Sequence, residues 1–89
     1  MVERELEIVN RLGLHARAAA KFVKLASGFA SEITLARGER EVNGKSIMGV
    51  MMLAAARGTR LRLRAEGPDA ERAAEALARL VAERFGEEE

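Results

Sequence analysis

Two stretches of this chain alternate so regularly that they admit only one local structure. In "VERELEIV", residues 2–9, Val2, Leu6 and Ile8 share one face while Glu3, Glu5 and Glu7 share the other, with Arg4 the one break in the pattern. In "TRLRLRAE", residues 59–66, Leu61, Leu63 and Ala65 face away from Arg60, Arg62 and Arg64. A period of two with one apolar and one charged side is that of a strand half in the core and half in water. A sheet of such strands can be covered on one side only, and the rest of the chain must supply the cover.

The period changes elsewhere. From His15, the residues Ala18, Ala19, Phe22, Leu25 and Ala26 recur at intervals of three and four, and Gly28 stands where a helix stops. In "SEITLA", residues 31–36, Ile33 and Leu35 point inward; "RGER" then predicts a tight turn and "EVN" a short return strand. "SIMGVMMLAAA", residues 46–56, lacks strand alternation and begins with Ser46, a good N-cap, which predicts a short second helix. The segment 67–86 opens with Gly-Pro-Asp, carries Ala70, Ala73, Ala74, Leu77, Leu80, Val81 and Phe85 along one stripe, and closes at Gly86. The expected order is strand, helix, strand, strand, helix, strand, helix: an α+β fold of two layers, in one domain spanning residues 1–89. If the first and last strands are neighbours, the glutamate and arginine rows lie on one outer face. Cross-strand pairs there contribute about 0.2–1 kcal/mol each.

Composition removes several classes of function. A chain of 89 residues buries only about 60–65% of its unfolded surface, so a deep enclosed site is not expected. The longest apolar run, residues 47–56, is interrupted by Gly49 and is far shorter than the roughly 20 residues that span a bilayer. The first residues show no basic region followed by an apolar core, so no secretory leader is expected and the location is read as cytoplasmic. With no cysteine there are neither disulfides nor thiolate ligands, and a single histidine leaves too few ligands for zinc; no metal or cofactor is expected. A net charge of +1 and three phenylalanines, without tyrosine or tryptophan, argue against a nucleic-acid surface.

The single histidine lies in "GLHARAAAKF", residues 13–22. No serine has an elbow motif or a histidine beside it, so a hydrolytic triad is absent from the pattern. An imidazole can itself be the nucleophile, because near neutral pH a large fraction is unprotonated. His15 falls where strand gives way to helix. The free amides of Ala16, Arg17 and Ala18 would follow it, at the positive end of the helix dipole, and an anion such as a phosphoryl group would be favoured there. Arg17 could add a charge-assisted hydrogen bond or could be an ordinary surface cation.

"GLHARAAAKFVKLASGFASEI" followed by "VNGKSIMGVMMLAA" resembles the HPr family, the histidine-containing phosphocarriers of the bacterial phosphoenolpyruvate-dependent sugar phosphotransferase system. The likeness covers nearly the whole chain. It implies an open-faced sandwich, a four-stranded antiparallel sheet covered on one face by three helices, with the fourth strand beside the first. It further implies that His15 accepts phosphate on Nδ1 from phospho-enzyme I and passes it to sugar-specific enzyme II components, including their IIA units, with Arg17 assisting. Such a protein is a monomeric carrier and not a turnover enzyme. In some relatives the serine matching Ser46 is phosphorylated by a dedicated kinase; on its own residues Ser46 is first a helix cap. A dianion at that cap suits the helix dipole and would repel an acidic partner. By the same resemblance Ala16, Ala20, Lys24, Ile47, Met48 and Met51 form the partner-binding surface, the methionines supplying adaptable contact. One departure is Ala18, where the family commonly has proline; the loss is at most about 1 kcal/mol and leaves open a nitrogen-related branch. The rival reading is a protein-interaction or regulatory domain in which His15 is incidental.

Overall fold

The computed structural model describes residues 1–89. Strand β1 (Val2–Glu7) is followed by helix α1 (Ala16–Ser27), a hairpin of β2 (Glu32–Arg37) and β3 (Arg40–Asn43), helix α2 (Ile47–Met52), strand β4 (Arg60–Glu66) and helix α3 (Ala70–Ala82). All pairings are antiparallel and the sheet order is β1-β4-β2-β3, so β4, the last strand in sequence, occupies an interior position. The alternation explains the layering. Leu6, Ile33, Leu35, Leu61, Leu63 and Ala65 from one face of the sheet join Phe22, Val50, Leu77 and Phe85 in a single apolar cluster of 22 buried residues. The opposite face carries the charges. The result is the open-faced sandwich with three helices.

The outer face differs in detail from the expected ladder of pairs. Glu3, Glu5 and Glu7 stand opposite Arg64, Arg62 and Arg60 in register. Yet only Glu5 closes an ion pair, and it does so diagonally, with Arg60 at 3.3 Å. Arg64 turns instead to Glu41 on β3 at 3.5 Å, and Arg62 donates to the Gly38 carbonyl at 3.0 Å. Apart from the half-buried Arg64 these side chains are exposed, and water competes with each pair while long side chains have many alternatives. Arg4, on the inner face of an edge strand, is also exposed; a charge there discourages pairing of β1 with another chain.

Each helix has a local cause. His15 adopts an extended conformation and α1 begins at the next residue; Lys24 in its last turn complements the dipole. Val23 takes a buried place on α1 that the spacing assigned to Leu25, which is half-buried. Ser46 caps α2 as expected, its Oγ accepting from the Gly49 N–H at 3.1 Å. At α3, Asp69 occupies the cap position but turns away from its own helix. Its carboxylate accepts from the Ser31 hydroxyl at 2.5 Å and from the Ala30 and Ser31 N–H groups at 2.8 and 2.9 Å, fastening the α1–β2 connection to the start of α3. Gly67 makes this possible: at φ +149° its hydrogen faces Ser31, and a Cβ there would lie 2.6 Å from the Ser31 Oγ.

The end of α3 corrects the sequence reading. The helix stops at Ala82 and not at Gly86. Arg84, Phe85 and Gly86 all take left-handed torsions, at φ 61°, 55° and 80°. Left-handed torsions cost roughly 1–2 kcal/mol for each non-glycine residue. Burial offsets them: Phe85 is fully enclosed, worth about 1.5–3 kcal/mol, and its carbonyl accepts from Lys21 Nζ at 2.7 Å. The chain therefore reverses and returns residues 87–89 toward the start of α1.

Two outcomes test this anchoring. Phe85→Ala lowers the free energy of unfolding by about 3–5 kcal/mol, read from urea denaturation, because the enclosed ring leaves a cavity. The Asp69 carboxyl is held at about 2, below its ordinary 3.8, led by the Ser31 hydroxyl and the Ala30 amide. A lowered carboxyl stabilises the fold above the unfolded pKa and loses that contribution as pH falls through the folded one. Asp69→Asn is therefore less stable than the parent at pH 7, and the difference in denaturation midpoint shrinks between about pH 4 and pH 2.

Candidate functional site

The connection from β1 to α1 is held rigidly before it reaches the histidine. Asn10 is fully buried, and its side-chain Nδ2 donates to the Gly13 carbonyl at 2.8 Å. Gly13, at φ +69°, lies against the segment after α2, where a Cβ would stand 2.5 Å from the Ala55 carbonyl oxygen; only glycine fits. The next residue, Leu14, donates its N–H to that same carbonyl at 2.9 Å. His15 thus starts from a backbone pinned on both sides.

His15 is the N-cap residue of α1, but its side chain makes no capping bond. The first helical hydrogen bond runs from the Ala19 N–H to the His15 carbonyl at 2.8 Å. The amides of Ala16, Arg17 and Ala18 precede it and have no acceptor within the helix. The imidazole is partly open to solvent, with 27% of the side chain exposed. Nε2 lies 2.5 Å from Glu87 Oε2, whereas Nδ1 makes no hydrogen bond. The other oxygen of that carboxylate, Oε1, accepts from Asn10 Nδ2 at 3.0 Å. Burial works against charge on Glu87, but hydrogen bonds from His15 and Asn10 and the nearby Lys21 charge outweigh it and hold the carboxyl below its ordinary value.

Arg17 is exposed and makes no ion pair, and it lines one open depression with Arg11, Leu12, His15 and residues 87–89. The structure therefore brings His15 and Arg17 to the same concavity. Ala16, between them in sequence, is exposed and Ala20 is half-buried, while the Ala18 side chain is enclosed and contributes only its amide. Helix α2 packs on α1 and leaves Ile47, Met48 and Met51 at 44%, 75% and 41% exposure. Met52 and Leu12, which the sequence reading passed over, are exposed as well. Lys24 lines a different groove, with Lys21, Leu25, Gly28 and Leu80, on the α3 side of α1. Ser46 is half-buried at the head of α2. No group of three or more His, Cys, Asp or Glu side chains is placed to hold a metal ion, and no helix is long and apolar enough to cross a membrane.

Glu87 and Asn10 are the participants that sequence reasoning missed. The triple glutamate at residues 87–89 carried no period, and its return depended on three left-handed torsions that follow a helical pattern without a break. Asn10 lies in no periodic pattern that marks it as buried.

Comparison with known proteins agrees with the geometry. Residues 2–83 match the family model described as the PTS HPr component phosphorylation site. The phosphocarrier protein HPr of Cupriavidus necator is 52% identical over 89 residues, covering all of both chains. The crystal structure of HPr-C-His from Thermoanaerobacter tengcongensis superposes with a TM-score of 0.96 at 48% identity, again over the whole of each chain. A crystal structure of an HPr dimer from the same organism gives a TM-score of 0.79 over 98% of this chain and 100% of that one. With the fold, the order of motifs and full-length similarity in agreement, the chain belongs to the HPr family of phosphocarrier proteins of the phosphotransferase system.

Proposed function

We propose that residues 1–89 form one phosphocarrier domain in which His15 accepts a phosphoryl group from phospho-enzyme I and donates it to the sugar-specific enzyme II components. The observation that carries this reading is the combination at one point of a partly exposed imidazole with a free Nδ1 and three unengaged amides at the head of a 12-residue helix. A phosphoryl group on the ring gains from those amides and from the helix dipole, and Arg17, unpaired in the same depression, supplies the compensating cation.

In each transfer the Nδ1 lone pair forms the bond to phosphorus while the bond from phosphorus to the donor breaks, its electron pair leaving with the donor. The return step reverses this toward the acceptor. The chain is a carrier and not a turnover enzyme, because it begins and ends each cycle by exchanging a group with another protein. The exposed apolar side chains of α2, Ile47, Met48 and Met51, with Ala16 and Ala20 of α1, form the docking surface for enzyme I and for the IIA units, and Lys24, which lines the separate groove toward α3, is left out of it. Burial of such side chains on docking drives association, and the flexible methionines fit more than one partner. The relay acts as a cytoplasmic monomer, and no cofactor enters the step.

Incubation with phosphoenolpyruvate and enzyme I gives one acid-labile phosphate per chain; His15→Ala gives none, whereas an interaction domain with an incidental histidine stays unmodified in the parent. Arg17→Ala retains phosphorylation but slows uptake about 100-fold, the order of loss when one preorganised donor to a developing charge is removed.

Ser46 is a second, regulatory phosphorylation site on this reading, addressed by a serine kinase. The hydroxyl caps α2 from a half-buried position beside the apolar side chains of that helix. Phosphate there is favoured by the helix dipole and disfavours an acidic partner. Ser46→Asp keeps the far-ultraviolet circular dichroism of the parent while loading from enzyme I falls by roughly tenfold or more, for a new charge at the rim of an interface acts on association.

A further inference from the structure

We infer that Glu87 is the positioning residue of His15: its carboxylate holds the Nε2–H, fixes the plane of the ring, and neutralises the charge that the ring gains when Nδ1 is phosphorylated. The inference rests on the relay reading above and goes beyond it by naming the group that prepares the nucleophile.

The assignment begins with hydrogen-bond inventory. A carboxylate is an acceptor only, so the nitrogen 2.5 Å from Glu87 Oε2 must carry the proton. In a neutral imidazole the other nitrogen then has the lone pair. That nitrogen is Nδ1, which has no hydrogen bond in the structure. One contact therefore selects both the tautomer and the orientation of the ring.

The carboxylate is itself held in place from several sides. Oε1 accepts from Nδ2 of the fully buried Asn10, whose other amide hydrogen goes to the Gly13 carbonyl. A reversed amide would set its oxygen against two other oxygens, so the Asn10 orientation is determined. Before Glu87, the enclosed Phe85 ring and the Lys21 bond to the Phe85 carbonyl anchor the chain. After it, the Arg11 N–H donates to the Glu89 carbonyl at 2.8 Å. The charged groups around the pair are Arg11, Arg17, Glu88 and Glu89 in the depression and Lys21 on α1.

The charge balance gives Glu87 its role in transfer. As the Nδ1 lone pair bonds to phosphorus and the donor bond breaks, the Nε2 proton stays where it is. The ring becomes cationic, beside a carboxylate already present and already ionised. When the phosphoryl group departs, the acceptor's lone pair bonds to phosphorus, the N–P bonding pair stays on Nδ1 as its lone pair, and the neutral ring is restored with the same proton in the same place. No proton needs to be gained or lost at any stage, which suits a group that must be taken up and released with equal ease.

The test compares the parent with Glu87→Ala and Glu87→Gln. Nitrogen-edited proton spectra of the unphosphorylated parent show a downfield Nε2 proton on His15 that exchanges slowly with water; Glu87→Ala loses it. Uptake from phospho-enzyme I slows about tenfold in Glu87→Ala with the half-saturating enzyme I concentration unchanged, the lower end of the loss seen when the carboxylate that orients a metal-bound histidine is removed. Glu87→Gln, which keeps an acceptor oxygen but not the charge, falls between the two in rate. Melting curves are recorded for all three, so that a loss of the fold is recognised as such. Uptake by Glu87→Ala at or above the parent rate overturns the role while leaving the relay intact. A parent that takes up no phosphoryl group overturns both, and a parent without the bonded Nε2 proton overturns the positioning alone.

Discussion

Everything above the sheet depends on the fact that the sheet has only one apolar side. Charges at Glu3, Glu5 and Glu7 on β1 and at Arg60, Arg62 and Arg64 on β4 forbid a second layer on the far face. Three helices must then share one surface. Helices α1 and α3 occupy most of it, with buried stripes of Ala18, Ala19, Phe22, Val23 and Ala26 on one and Ala70, Ala73, Ala74, Leu77 and Val81 on the other. Alanine dominates both stripes, and small side chains let helices lie close to a sheet and to each other. The short α2 is left at the margin, with Val50 its one enclosed residue. Its exposed methionines are therefore a consequence of the layering: a two-layer domain of this size has no further apolar surface on which to bury them.

The same layering explains why the histidine is accessible without being loose. A helix lying across the sheet must begin near the sheet's margin, so the first turn of α1 projects where solvent reaches it. Mobility would be the usual consequence. Here it is prevented by backbone contacts that cost little: Gly13 fits against the Ala55 carbonyl, Leu14 donates to it, and buried Asn10 braces the turn between. The free end of a helix thus becomes a fixed donor array. Preorganisation of this kind matters most at an exposed site, where each electrostatic contact is weakened by water and gains nothing from being rearranged on demand.

What could be read from the chain alone follows from which interactions are periodic. The strands and the stripes of α1 and α3 were legible because burial repeats along them, and Ser46 was legible because a cap is local. The strand order was not, since no residue in β1 states that β4 will lie beside it; that came from resemblance. His15 and Arg17 could be named from the end of a strand and the start of a helix. Their carboxylate neighbour could not. Glu87 lies 72 positions from His15, and its arrival depends on Phe85 preferring enclosure to a helical torsion. Helical spacing through Phe85 was correct about the residue's burial and wrong about its backbone, because the stripe predicts which side chains seek the core but not whether the chain stays helical to deliver them. The outer charges share one face as expected, but their pairing was not legible: opposed residues in register are fixed by the backbone, while which long side chains meet is decided by small differences that water largely removes.

A relay differs from an enzyme in what its site must avoid. A deep pocket with many donors would hold a phosphoryl group too firmly to release it, since a difference of 1.4 kcal/mol already changes the distribution between carrier and partner about tenfold. In the relay proposed for this chain, the arrangement around His15 divides the task between two weak supports on opposite nitrogens. On the proposed reading, amides and Arg17 address the group on Nδ1, and Glu87 addresses the charge left on the ring through Nε2. Each set keeps a side open to water, so each contributes modestly, and the pair can be matched to partners that approach from the open side. On this view the shallow depression is a requirement of reversibility: the docked partner supplies the dry surroundings for the transfer, and when it leaves, water returns to both supports and lowers the hold on the group.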